Sequence, residues 1–387
     1  MALTATCAIV GGGVVGASVA YHLAARGMRH VLVLDRAASP GMGSTGRATG
    51  GFRVQFPSAP EVRLSLLARE KLLRFGEETG GDCGFVAAGY LWIAEDEEQM
   101  TALRSALGVQ RENGVHDAVE LDADAVAEAN PHVVRAGVFG GTFCASDGFI
   151  RPLQILDGYR RAAERLGARF VWDADVTGFA HDAGGRIVTV RTQREDVAAA
   201  CVVNAAGAWA AHVGALAGAD VPVAPLRRQV ACTVATGVLP ATMPMTIYAG
   251  DGFHFRVRDG RVLLLLPSEG ADDPFDDAVD RSWVERVARV AHERVPALRA
   301  VEIDAASCCA GLYEMSPDGR AILGAAPGVP NFYLANGSSG HGVMHAPALG
   351  MLLAELIVDG RASSLDVAPF RPDRFDGAHA PQARPLL

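Results

Sequence analysis

Lysine is almost missing from this chain: of 35 basic residues, Lys71 alone is not an arginine. No basic block is present to track a phosphate backbone, and 44 acidic residues leave a net charge of −9, so nucleic acid is not an expected partner. The seven cysteines contain no CxxC pair. That spacing argues against a zinc cluster and against a stapled secreted scaffold, so no metal site is expected and the thiols, adjacent Cys308 and Cys309 included, read as buried and reduced. Also absent is a continuous apolar run of about 18 residues, the length that a transmembrane segment needs. The run 262–266 reads as a buried strand. The apolar stretch 5–16 has no basic segment ahead of it and its glycines serve another purpose, so the expected location is cytoplasmic.

What is present suffices for two domains, since half of the 387 residues are hydrophobic. The pattern opens with a strand over 6–10, the loop Gly11-Gly12-Gly13-Val14-Val15-Gly16, a helix to about Arg26 stopped by Gly27, and a strand over 31–34. In that setting Gly11, Gly13 and Gly16, followed by Asp35 at the end of the second strand, form a dinucleotide signature. Gly11 permits the tight turn, Gly13 lets backbone approach a pyrophosphate, Gly16 lets helix pack on strand, and Asp35 accepts from ribose hydroxyls. The motif alone does not separate NAD from FAD.

Apolar spacing predicts helices over 61–78 and 150–166, charged helices up to Asn130, and strands over 89–93, 169–176, 187–192 and 199–204. Residues 221–303 read as β-rich, with strands 253–257 and 261–266 split by the turn Asp259-Gly260. A glycine loop, 337–342, precedes an apolar helix through Val358. The expected class is α/β, α+β overall: a Rossmann-type dinucleotide domain (1–80, 140–220 and 305–387) interleaved with a substrate domain (81–139 and 221–304) built on an antiparallel sheet.

Four ordered motifs carry a resemblance: Gly43-Ser44-Thr45-Gly46-Arg47-Ala48-Thr49-Gly50-Gly51-Phe52-Arg53, then 202–209, 311–319 and 337–342. They resemble the D-amino acid oxidase superfamily, and within it the β-subunit type of sarcosine oxidase and the dye-linked proline dehydrogenase β-subunits, over nearly the whole chain. The resemblance implies FAD lying across the first domain and a substrate pocket over the flavin, under the second sheet. It implies further cofactor contacts from Val14, Val15, Arg36, Gly43, Ser44, Thr45, Arg47, Ala48, Val176, Gly207, Trp209, Gly311, Gly337, Gly340, His341, Gly342, Val343 and Met344. Ser44, Thr45 and nearby amides suit pyrophosphate and ribityl oxygens, while glycines 337, 340 and 342 let backbone N–H groups reach the pyrimidine edge.

For the substrate, the resemblance places Arg53 where the sarcosine oxidases carry the arginine that grips a carboxylate; its two parallel N–H donors fix orientation as well as charge. Tyr313 matches a pocket tyrosine, with a core tyrosine as the plainer reading. His254 on the hairpin and His341 in the flavin-edge loop are either proton carriers or structural histidines. Three departures matter. Gly311 and Gly46-Arg47 stand where relatives attach flavin covalently through cysteine or histidine, so the FAD is expected to be non-covalent. Met344 replaces a second carboxylate-gripping lysine. No flavin-side lysine is available to stabilise superoxide, which favours a dehydrogenase over an oxidase.

The expected reaction is oxidation of a small amine, an amino acid, N-methyl amino acid or imino acid such as sarcosine or proline. Hydride passes from Cα to flavin N5, the resulting imine hydrolyses, and activity rises with pH because the amine must be neutral. One alternative is C–O oxidation of a 2-hydroxy acid, with His254 or His341 as the required base. The other is a non-catalytic FAD-binding assembly factor or subunit of a larger dehydrogenase. Oxygen, a quinone and a partner protein all remain open as electron acceptor.

Overall fold

The computed structural model describes residues 3–268 and 271–376. The strand Leu3–Val10 lies between Val31–Leu34 and Val197–Asn204, parallel to both, with Cys7 opposite Val31 and Val10 opposite Asn204. Arg169–Val171 and Phe332–Asn336 extend this parallel core on either side. An antiparallel strand, Ile322–Ala325, closes one edge, and the hairpin Val176–His181 and Ile187–Thr192 pairs onto Val197–Asn204. These strands are β-branched and apolar on both sides because both faces are covered. Ile9, Val31 and Val33 pack on one face with the helices Val14–Ala25 and Gly342–Val358; Ala8, Val10 and Leu32 pack on the other with the hairpin and the helix Ala210–Ala217.

The second eight-stranded sheet runs in the order Cys309–Met315, Ala224–Cys232, Arg261–Leu265, His254–Arg258, Met245–Tyr248, Tyr90–Ala94, Gly140–Cys144 and Ala118–Asp122. All pairs are antiparallel except Met245–Tyr248 with Tyr90–Ala94. Period-two alternation separates its faces. Leu91, Ile93, Ala231, Phe255 and Leu264 point outward and pack against Trp283 and Val287 of the helix Arg281–Arg294. Their neighbours Tyr90, Val230, His254 and Leu265 point inward, toward the first sheet, and line a cavity there.

The expected architecture is present, with local differences. The strand expected over 169–176 breaks after Val171; Asp173 takes a left-handed conformation (φ 52°) and a new strand starts at Val176. The helix expected over 61–78 is two helices, Ala59–Leu73 and Phe75–Thr79. Between the charged helices Glu97–Glu112 and Ala123–Ala129 lies the strand Ala118–Asp122. The β-rich region contains the helix Arg281–Arg294, whose buried Trp283, Val287 and Ala291 recur every fourth residue. Gly140–Cys144 and Cys309–Met315 fall in segments assigned above to the dinucleotide domain, yet both are bonded into the second sheet, because their partners, Tyr90–Ala94 and Ala224–Cys232, are distant in sequence.

The helices Val14–Ala25 and Gly342–Val358 meet without space for a side chain: a Cβ at Gly350 would lie 2.2 Å from Ser18 Oγ and 2.7 Å from the Ser18 carbonyl carbon. Gly350→Val must push the helices apart, at a cost of about 1–3 kcal/mol or more. We expect a melting temperature several degrees lower, read by circular dichroism, and an unchanged melting curve would contradict this packing.

Candidate functional site

A cavity of about 950 Å³ lies between the two sheets, at the large end of small-molecule pockets. One end is built by the first βαβ unit. Gly11 has φ 110°, and a Cβ there would lie 2.2 Å from the Ala205 carbonyl oxygen; a Cβ at Gly16 would lie 1.9 Å from the Gly11 carbonyl oxygen. Strand, loop and helix therefore approach to backbone contact, and the N-terminus of the helix Val14–Ala25 faces the cavity as an anion site. Asp35 Oδ2 accepts the Gly12 N–H at 2.6 Å and Oδ1 accepts the Ala37 N–H at 2.7 Å, so this carboxylate shapes the loop while also lining the cavity. Val14 N–H donates to Thr45 Oγ1 at 3.1 Å. Nearby, the Arg36 guanidinium lies 3.6 Å over the Trp209 ring, and Phe275 stacks on Trp209.

Of the cofactor residues expected from sequence, Gly11, Gly13, Val14, Val15, Asp35, Arg36, Gly43, Ser44, Thr45, Arg47, Ala48, Val176, Gly207, Trp209 and Gly311 line this one cavity, as do Gly340, His341, Gly342, Val343 and Met344. Gly16 and Gly337 stand behind the wall. Gly16 provides the helix contact, and Gly337 (φ 68°) turns the chain against Ile322 and Ser316. Gly340 makes space for Tyr313, whose ring a Cβ would meet at 2.3 Å. The Ser44 hydroxyl donates to the Leu312 carbonyl at 2.7 Å, and Arg47 bonds Asp277 and the Ala310 carbonyl, so both also join the first unit to the second sheet. The glycine cradle, the helix terminus and the paired rings fit an extended dinucleotide.

At the other end Arg53, Tyr90, His254, Tyr313 and His341 line the wall. Arg53 is 8 % exposed, and its guanidinium lies 4.5 Å from the Phe56 ring centroid and 5.1 Å from that of Trp92. No carboxylate lies within ion-pair distance of it among the described residues. Its Nη2 is 2.9 Å from His341 Nε2; arginine only donates, so His341 Nε2 accepts and its proton sits on Nδ1. Burial, then Arg53, holds His341 well below the usual histidine range. His254 Nδ1 lies 2.8 Å from the Gly252 carbonyl, which only accepts, so the proton is on Nδ1 and the Nε2 lone pair is left over. Burial lowers His254 to about 4. Burial also raises Tyr313, so its hydroxyl is a neutral donor at ordinary pH.

Three wall or support residues were not singled out from sequence. Tyr90 heads a correctly placed strand, and its hydroxyl comes so close to Gly51 that a Cβ there would lie 1.8 Å away. Asp147, fully buried and raised by that burial to about 7, accepts the Val54 N–H at 2.7 Å and a Gln55 side-chain N–H at 3.1 Å, and so supports the segment that follows Arg53. Arg228 lines the cavity from the strand Ala224–Cys232. A charged residue between Arg227 and Gln229 in a strand was the available signal, since alternation turns it to the opposite face. For the dinucleotide end, Asp35→Ala removes the acceptor that holds the Gly12 amide. We expect a roughly tenfold or greater rise in the FAD dissociation constant, read by flavin fluorescence titration of the apoprotein; unchanged affinity would contradict the role of Asp35.

The family model described as FAD dependent oxidoreductase (DAO) matches residues 6–356. FAD-dependent oxidoreductase domain-containing protein 1 of Xenopus laevis is 30% identical over 95% of this chain and 82% of its own length. Glycine oxidase of Geobacillus kaustophilus is 29% identical over 96% of this chain and 97% of its own. Among solved structures, L-proline dehydrogenase from P. horikoshii is similar with a TM-score of 0.89 and 27% identity, covering 97% of this chain and 98% of that one. With the dinucleotide cradle at one end of the cavity and a buried arginine at the other, the match places the chain in the FAD dependent oxidoreductase (DAO) family.

Proposed function

We propose that this protein is a dehydrogenase that oxidises the Cα–N bond of a small amino, N-alkyl amino or imino acid with non-covalently bound FAD. Arg53 carries the reading: a buried guanidinium between two aromatic rings, without an ion-pair partner among the described residues, is a prepared site for a substrate carboxylate. The similarity to L-proline dehydrogenase and glycine oxidase supports an amino acid substrate. Non-covalent attachment is supported by the cavity wall, which holds no cysteine among the described residues and has Gly311 and Arg47 at the positions noted above. The dehydrogenase reading is supported by Lys71, which is tied to Glu78 at 2.6 Å and is not among the residues that line the cavity.

Bound FAD supplies the two-electron acceptor. The chain binds the carboxylate on Arg53, and the Phe56 and Trp92 rings keep water from the ion pair. A neutral amine is required, because the nitrogen lone pair becomes the second bond of C=N as the Cα–H bond breaks with its electron pair. Positive charge on Arg53 disfavours the ammonium form, and His254 Nε2 is free to accept an amine N–H. Water then adds to the imine, leaving an oxo acid and the freed amine. Oxidation of a hydroxy acid needs a base for the O–H proton, and neither histidine expected in that role suits it. The His341 lone pair is taken by Arg53, and His254 is too weakly basic.

Two results test the reading. Anaerobic bleaching of the flavin by a panel of amino, N-methyl amino and hydroxy acids should occur with an amino acid, with slow recovery in air, and Arg53→Gln should raise KM for that substrate on the order of 100-fold. Bleaching by hydroxy acids alone would overturn it. The pH profile is the second. His254 is neutral above about pH 4, so kcat/KM should climb with deprotonation of the substrate amine and show no separate histidine limb between pH 5 and 8. His254→Asn should lower the rate and keep the shape of the curve; a limb near pH 6.5 that disappears in this variant would contradict the assignment.

A further inference from the structure

We propose that Arg228 is a second anion-binding residue of the substrate pocket, and that the preferred substrate is an amino acid with a further carboxylate beyond the one held by Arg53. This rests on the amine-oxidation reading and narrows its substrate class.

The strand Ala224–Cys232 shows why Arg228 faces the pocket. Arg227 donates to Asp276 at 2.5 Å and Gln229 Oε1 accepts the Asp280 N–H at 2.6 Å, so these two side chains turn toward the segment ahead of the helix Arg281–Arg294. Arg228 is one residue out of phase and turns to the other face. Its cross-strand partner is Gly311, without a side chain, and the next pair on that face is Leu226 with Tyr313. The Arg228 guanidinium lies 5.8 Å from the Tyr313 ring centroid.

Two guanidiniums therefore converge. Arg53 comes from the loop and Arg228 from the second sheet, both line the one cavity with His254 and Tyr313, and each lowers the pKa of those two groups. Their surroundings differ. Arg53 has Tyr90, Glu61 and Asp147 nearby to favour its charge, whereas among the described residues no carboxylate favours the charge on Arg228. Among the described residues Arg228 reaches only two neutral acceptors, the Ser268 carbonyl at 3.3 Å and its neighbour Arg227 at 3.5 Å, both long. A largely desolvated cation with such partners is costly until an anion arrives. A monocarboxylate compensates one guanidinium. A substrate with carboxylates at both ends of a short chain compensates both and holds its Cα–N bond between them.

Binding of non-reacting carboxylates to the FAD-loaded enzyme, read from the flavin visible spectrum, separates the possibilities. Thiodiacetate and (methylthio)acetate share a thioether and differ by one carboxylate. We expect the unaltered protein to bind thiodiacetate at least about tenfold tighter, Arg228→Gln to bring the two within about twofold, Arg228→Lys to keep part of the preference, and Arg53→Gln to weaken both. Equal binding to the unaltered protein overturns the proposal whether or not any variant folds. So does a preference that survives Arg228→Gln, or a variant that changes only flavin reoxidation in air. Neither ligand is an amine, so the measurement does not depend on turnover: a preference without bleaching by any amino acid would sink the reaction class and keep the anion pair.

Discussion

Arg256 joins the second sheet to the loop ahead of Arg53 through the carbonyl oxygens of Thr49 and Gly50, each 2.9 Å from its Nη1, and the height of the cavity roof depends on that joint. The side chain is 4 % exposed and lies 3.5 Å over the Phe149 ring; burial pushes its pKa down to about 9, which still leaves it charged at neutral pH. Arg258 repeats the contact one turn of the pleat further on, donating to the Ala48 carbonyl at 3.1 Å. The loop so held is the one that carries Arg53. Gly50 (φ 75°) presses against the Ile150 carbonyl, and Gly51 against the Tyr90 hydroxyl, so the loop has little freedom to tilt. Charge-assisted bonds to carbonyls do here what a linker does in separable domains: they turn two interleaved sheets into one site with fixed walls.

The two ends of the cavity present different electrostatics. At the dinucleotide end a helix N-terminus, backbone amides and Asp35 suit phosphates and ribose hydroxyls, groups that water also solvates well. At the other end the groups are desolvated, and burial decides their protonation: His254 and His341 are held neutral, Tyr313 stays a phenol, and the arginines stay charged because guanidinium has the reserve of basicity to do so. An amine that must arrive without its proton meets cations and the neutral His254 there.

The first βαβ unit was legible because its signal is local: three glycines, a strand on each side and an acid at a fixed distance all lie within 35 residues. So were the final helix and the hairpin around Asp259-Gly260. Arg53 and Tyr313 were found through the resemblance, His254 and His341 from their places on the hairpin and in the glycine loop, and all four line the one cavity. What stayed hidden is non-local. Gly140–Cys144 and Cys309–Met315 look like any short strand until their pairings with Tyr90–Ala94 and Ala224–Cys232 are known. The kink at Asp173 comes from a non-glycine residue in a left-handed conformation, which propensity does not announce. Arg228 was passed over for a related reason: strand alternation splits two adjacent arginines between the faces, but only the sheet pairing shows that Arg228 is the one on the cavity side.

That split bears on how the site stores specificity. Arg227 has Asp276 as a neighbour and is held by it, so its charge is spent on tying the segment before Arg281–Arg294 to the sheet. Arg228 has no such partner among the described residues, so its charge is left for a ligand that enters the cavity. Arg53 is in the reverse position: two nearby acids steady it, yet neither touches it, because Asp147 is occupied by the Val54 amide and Glu61 by the Ser58 hydroxyl. A carboxylate reaching Arg53 therefore displaces no existing ion pair, and the full strength of a bidentate contact is available to orient Cα–H. Orientation at Arg53 and selection at Arg228 are thereby separable, since one is fixed by the loop under the joint and the other by a strand in the roof.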